Sequence, residues 1–145
     1  MSRTVTAGDE LPPLTSPPIS RATLALFAGA SGDHHPIHID SDVAKSAGFD
    51  DVFAHGMLPM AYLGRFLTQW APQQNLRSFR VRFREITPLY ATVTCRGRVT
   101  DVVVEDNEER AVVDLAAELS DGTAVLTGVA VVALPPSADE VPDGE

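Results

Sequence analysis

Apolar and polar positions along the chain follow two periods, and the change falls near residue 76. Before it the spacing is helical. Ser20 reads as a helix N-cap, since its hydroxyl can accept from a free backbone N–H of the first turn. Leu24, Phe27 and Ala28 follow on one face, Leu26 borders it, and Gly29, Ser31 and Gly32 close the helix. Residues 33–39 read as a loop, because Pro36 disfavours helix at His35 and has no N–H to give. Asp40 or Ser41 can cap a short helix through Ala47, ended by Gly48. From Met57 to Trp70 apolar residues occupy much of the helical circumference, which predicts a largely buried helix. Pro59 is tolerated there because it lies in the first turn. The small Ala61 and Gly64 would let strands approach closely.

From Leu76 the period becomes two. Phe79, Val81 and Phe83 alternate with Arg80, Arg82 and Arg84, which predicts a strand with an apolar core face and a solvated arginine face. Three more strands are expected over 91–104, 111–119 and 124–134, with turns at Asp106-Asn107 and Asp121-Gly122. Pro12, Pro13, Pro17 and Pro18 make residues 1–19 an extended lead-in, with one short strand expected near residues 4–6. The acidic, Pro-containing segment 135–145 is expected to be disordered. The expectation is thus one α+β domain over 1–134, an antiparallel meander wrapped around a central buried helix.

Composition narrows the partners. A chain of 145 residues suits one core. Its formal net charge of -9 disfavours nucleic acid, whose phosphates need Lys and Arg. The basic residues are 11 in number, and four of them, Arg77, Arg80, Arg82 and Arg84, crowd one stretch. No apolar run is long enough to span a bilayer. The single cysteine, Cys95, and a start without the layout of a secretion signal make the cytoplasm the expected compartment, with no membrane partner.

The chemistry concentrates in one loop. Asp33, His34, His35 and His38 lie within six positions, and the remaining histidine, His55, directly precedes Gly56 and the buried helix. Imidazole changes charge near neutral pH and suits proton transfer. A nearby carboxylate can take a proton in one direction and return it in the other. The same residue types form zinc sites. Adjacent histidines on an extended chain diverge, however, and Pro36 limits rearrangement, so no metal is expected. His35 is open between a structural and a functional role, and His55 reads as a supporting residue.

The run Ser31-Gly32-Asp33-His34-His35-Pro36-Ile37-His38-Ile39-Asp40 resembles the signature of the MaoC-like (R)-specific enoyl-CoA hydratases and dehydratases. Their pattern is approximately Ser-Gly-Asp-x-Asn-Pro-(Ile/Leu)-His-x-Asp. Ala54-His55-Gly56-Met57-Leu58 matches the segment that opens their central helix, and Phe79-Arg80-Val81-Arg82-Phe83 their aromatic first strand. The landmarks keep their order over roughly residues 4–134. Two features depart: His35 replaces the family's Asn, and Pro88-Leu89-Tyr90-Ala91 lacks its Gly-Asp pair.

The resemblance implies a hot-dog fold and reversible hydration of 2-enoyl thioesters to (R)-3-hydroxyacyl thioesters. Asp33 and His38 would be the catalytic pair that activates water, and the Gly56 N–H would stabilise the enolate oxygen. Met57, Arg65, Arg82 and Arg84 are candidate substrate contacts. No cofactor is implied, because coenzyme A or a carrier protein's pantetheine arm is part of the substrate. A homodimer is expected, or a heterodimer with a paralogous subunit. Two alternatives are a hot-dog thioesterase and a non-catalytic acyl-binding subunit of a heteromeric dehydratase.

Overall fold

The computed structural model describes residues 4–136. In chain order it contains β1 (Leu14–Thr15), α1 (Arg21–Ser31), α2 (Ser41–Ser46), α3 (Met57–Trp70), β2 (Leu76–Phe83), β3 (Thr94–Glu105), β4 (Glu108–Glu118) and β5 (Ala124–Ala133). A 3-10 turn over Pro36–His38 precedes α2, and another over Gln73–Asn75 leads into β2.

The local signals act as expected at the helix ends. Ser20 Oγ accepts from the Thr23 N–H at 3.1 Å, and Gly32 ends α1 in the left-handed region at φ 76°. Asp40 caps α2 through the Asp42 N–H. The Asp106-Asn107 hairpin places both residues at positive φ, as a tight two-residue turn requires.

The five strands form one antiparallel sheet in the order β1-β3-β4-β5-β2. Only β3, β4 and β5 form the expected meander. β2 crosses to the far edge and pairs with β5, Phe79 opposite Ala130 and Phe83 opposite Leu126. The expected strand near residues 4–6 is absent. Thr6 instead turns through hydrogen bonds to Asp9, and the edge strand forms at Leu14–Thr15, with Leu14 opposite Cys95. Residues 91–93 serve that edge rather than β3: Val93 and Ala91 carbonyls accept from Ser16 and Ile19.

α3 packs on β3, β4 and β5. Leu58, Leu63, Phe66 and Leu67 are buried against the alternating inward residues Cys95, Val99, Val113, Leu115, Ala117 and Ala130. Gly97 makes the approach possible. A Cβ there would stand 2.9 Å from the Phe66 ring, closer than packed carbons allow. The helix was expected to be largely buried; its opposite face is not, and Met57, Ala61, Arg65 and Thr68 are exposed in the protomer. Phe83, expected in the core, is 57% exposed because β2 runs past the end of the covering helix. Among the described residues no helix is long and apolar enough to cross a membrane. The acidic tail expected from Pro135 lies, from residue 137 onward, outside the described residues.

Candidate active site

The loop after α1 is built from its own polar side chains. The Asp33 carboxylate accepts from the His35 N–H at 3.2 Å, and His35 Nδ1 accepts from the Ile37 N–H at 3.1 Å. These two turns deliver His38 at the end of the 3-10 segment, stiffened by Pro36. His38 then anchors to the chain ahead of α3: its Nδ1–H donates to the Phe53 carbonyl at 2.8 Å. A carbonyl can only accept, so the bond fixes the tautomer and leaves His38 Nε2 with a free lone pair.

His55 joins the two segments from beneath. It is almost fully buried and stacks on His38, with ring centroids 4.1 Å apart. Phe27 of α1 meets its edge at 5.0 Å. Its Nε2–H donates to the Asp33 carbonyl at 3.0 Å, while its buried Nδ1 finds no partner among the described residues. One ligand-type atom each from Asp33, His38 and His55 lies within 4.8 Å of the others. Asp33 and His38, singled out from sequence, are therefore brought together, and His55 lies in the same cluster. His34 is exposed and outside the cluster.

Environment sets the charge states. The His35 N–H, donating to Asp33, is the chief reason its carboxyl lies below the ordinary carboxylate range. Burial pushes the His38 imidazole below its ordinary value, and the bond to Phe53 opposes this only partly. Near neutral pH the site thus pairs a carboxylate with a neutral imidazole whose free nitrogen can accept a proton. The cluster also has the composition of a metal site. The stacking of His38 on His55 argues against that use, since in-plane lone pairs of stacked rings run side by side instead of converging on a tetrahedral centre.

Gly56 opens α3 next to this cluster. Among the described residues its N–H donates to no protein acceptor. The space above it is occupied by the Phe83 ring, 3.1 Å from where a Cβ would sit. Two grooves flank this point. One, of about 440 Å³ and mainly apolar, is lined by Asp33, Ser31, Phe27, Met57, Met60 and Phe79. The other, of about 390 Å³, runs past Gly56, Phe53, Phe83, Arg84 and Thr87. Met57 borders the first groove. Arg84 borders the second, while Arg82 stands on the outer sheet face and Arg65 on the exposed side of α3. Within the protomer neither Arg82 nor Arg65 lines either groove.

The Phe53 carbonyl, which orients His38, was not singled out from sequence, since a backbone acceptor carries no residue signature. The same holds for Arg21. Its guanidinium grips Asp51 through two bonds of 3.1 and 2.6 Å and also donates to Ser41, holding α1, α2 and the approach to Phe53 together. That grip holds the Asp51 carboxyl far below its usual range.

A single curved antiparallel sheet closed over one helix is the hot-dog fold, and the polar loop lies at the start of that helix. The chain belongs to the MaoC-like domain family, whose pattern it matches over residues 4–121. It is 33% identical over 90 residues to the (R)-specific enoyl-CoA hydratase of Rhodospirillum rubrum, a match covering 57% of this chain and 62% of the relative. The chain thus spans about three fifths of that relative's length. The fold superposes on the (R)-hydratase from A. caviae involved in PHA biosynthesis with a TM-score of 0.79 at 25% identity, covering 92% of this chain and all of the other. It also superposes on a chain of the ChsH1-ChsH2 complex from Mycobacterium tuberculosis, with a TM-score of 0.76 at 25% identity and coverages of 92% and 100%.

Proposed function

We propose that this protein is a hydro-lyase that adds water to 2-enoyl thioesters and removes it from (R)-3-hydroxyacyl thioesters. The observation that carries this reading is the meeting of the Asp33 carboxylate and the His38 ring beside Gly56, whose N–H donates to no acceptor among the described residues. The hydratase names of the relatives point the same way.

In the hydration direction Asp33 and His38 hold one water between them. Its oxygen bonds to the β carbon while its proton passes to the pair. The alkene electrons move onto the thioester carbonyl, and the enolate oxygen accepts from the Gly56 N–H, reinforced by the positive end of α3. Collapse of the enolate takes a proton at the α carbon from the same pair, so no proton is gained or lost overall. The acyl chain occupies the apolar groove by Met57 and Met60, and the pantetheine arm leaves past Phe83. The reaction draws on no cofactor, since coenzyme A or a carrier arm is part of the substrate.

Active protein is read as a dimer. β2 is an edge strand with no further strand beside it among the described residues, and such an edge calls for a partner. The similarity to a chain of a two-component complex keeps a paralogous partner as the second form of the same pairing. Incubation with crotonyl-CoA and measurement of the enoyl absorbance tests the reaction, and a thiol-reactive dye run in parallel tests for hydrolysis. Loss of absorbance without thiol release is expected. Thiol release would establish a thioesterase instead.

A further inference from the structure

The outer face of the sheet, turned away from α3, carries a cationic trough. Register places its residues in rows across four strands. Arg96 of β3 lies in line with Ala116 of β4, Thr127 of β5 and Arg82 of β2. The next row runs Arg98, Asp114, Val129, Arg80 by the same pairings. The arginines are exposed, as outward positions of alternating strands must be. Arginine therefore stands on β3 and on β2, and the two strands between them carry Ala116 and Thr127 in one row and Asp114 and Val129 in the next. Two grooves, of about 350 and 670 Å³, follow this face and meet at Asp114 and Leu115.

The charge is not spent internally. Arg96 pairs with Glu118, and Arg84 donates to Thr127. Among the described residues Arg80, Arg82 and Arg98 enter no ion pair, although the chain as a whole carries -9. Asp114, likewise unpaired among the described residues, lies on the floor, and Glu10, beside Arg98, lines the β3 side. Three strand spacings separate the walls, about 14 Å between backbones. An α-helix with its side chains is about 10–12 Å across. An extended peptide or a lone phosphate group would leave most of that width unfilled.

We propose that this trough docks an acidic amphipathic helix of a partner protein, its carboxylates meeting Arg80, Arg82 and Arg98 and its small or apolar side resting over Ala116 and Thr127. Pairing of two protomers along the β2 edge leaves this face open. The proposal does not depend on the hydratase reading, because it concerns the opposite face from Asp33 and His38.

The test uses fluorescence anisotropy of the full-length protein with a labelled, stapled 18-residue peptide that is helical and carries glutamates along one face. Micromolar binding is expected, weakening at least tenfold when salt rises from 50 to 500 mM. Arg80→Glu with Arg82→Glu should weaken it at least tenfold, and the milder Arg80→Gln with Arg82→Gln guards against a folding defect, checked by circular dichroism. Lys45→Glu, on α2, serves as the charge control and should bind normally. Equal affinity for an unstapled, proline-broken peptide of the same composition would overturn the helix. Displacement by pyrophosphate at concentrations matching the protein would replace it with a phosphate site. Absence of binding, or binding untouched by both double variants, would remove the trough as a docking surface.

Discussion

The His55 ring lies flat on the His38 ring, planes 27° apart, while its Nε2–H reaches across to the Asp33 carbonyl. One buried side chain thereby sets the position of both members of the proposed pair. Substituting His55→Ala removes the ring packing and the bond together and should cost about 2–4 kcal/mol of stability. His55→Phe keeps a ring against Phe27 and His38 but loses the donor, and should cost only about 1 kcal/mol. Both variants should lose most turnover, because the Asp33 backbone is released in each. Urea unfolding beside a crotonyl-CoA assay checks this. A fully active His55→Phe would show that the Asp33 anchor is dispensable.

Asp33→Asn and His38→Ala test the pair directly. Asp33 is exposed, so Asp33→Asn should leave folding intact. His38→Ala gives up the stack on His55 and the bond to Phe53, should cost about 1–3 kcal/mol, and is assayed below its melting transition. Each should lower kcat/KM by about 10²–10⁴, the usual worth of a positioned acid or base. Asn at position 33 still accepts the His35 N–H, so any loss there reports the missing charge and not a collapsed loop.

The pH dependence follows from the direction of the His38 shift. Burial disfavours its charged form, so folding lowers its pKa from the ordinary value near 6.5. The unfolded chain then binds the proton more readily than the folded one, and stability from this group rises with pH. That contribution is complete above about pH 6.5 and is lost as pH falls through the lower folded value. Activity needs the neutral ring, so the acid limb of kcat/KM should lie below pH 6.5 and vanish in a residual-activity profile of His38→Ala. An acid limb above 6.5 would contradict the burial argument.

Much of this was legible in the chain, and the exceptions share a cause. The caps at Ser20 and Asp40, the left-handed Gly32 and the Asp106-Asn107 turn are local, and each acts where its residue type demands. The alternation in β2 correctly placed Arg80 and Arg82 outward, yet it could not reveal that β2 pairs with β5 across a crossover. Nor could it place Phe83 beyond the end of the helix, since burial of a strand's last residue depends on which element covers it. At the site, the motif identified Asp33 and His38. The groups that orient them, the Phe53 carbonyl and the Arg21–Asp51 clamp, act through backbone or from distant sequence positions and carry no local pattern.

Gly56 separates chemistry from stability more cleanly than the histidines do. Its φ of -56° and ψ of -33° suit any residue, so alanine meets no backbone penalty. Replacing Gly by Ala in a compatible conformation stabilises by about 0.4–1 kcal/mol through the unfolded chain. The new methyl would press on the Phe83 ring, which would have to give way by a few tenths of an ångström. It would also crowd the approach of a carbonyl to the N–H. Gly56→Ala should therefore melt at or slightly above the parent temperature while kcat falls by at least tenfold. Loss of stability equal to the loss of activity would show the glycine to be structural.

The unpaired edge of β2 yields the last prediction. Phe83 and Met57 are both more than half exposed and both stand beside Gly56, Phe83 at the end of the β2 edge strand, so a second copy pairing along β2 is expected to cover them. Burying two such side chains from each protomer favours association by several kcal/mol at about 25 cal/mol per Å². Sedimentation equilibrium should give twice the 15.5 kDa chain mass. Phe83→Asp puts a charge into that seam, where desolvation is costly. It should shift the protein to monomer at micromolar concentration and reduce turnover in proportion, since the groove past Phe83 would lose its far wall. A fully active monomeric Phe83→Asp would mean that one protomer holds a complete site. A parent protein that sediments as monomer alone, regaining mass and activity only with a paralogous subunit, would assign the edge to the heteromeric pairing instead.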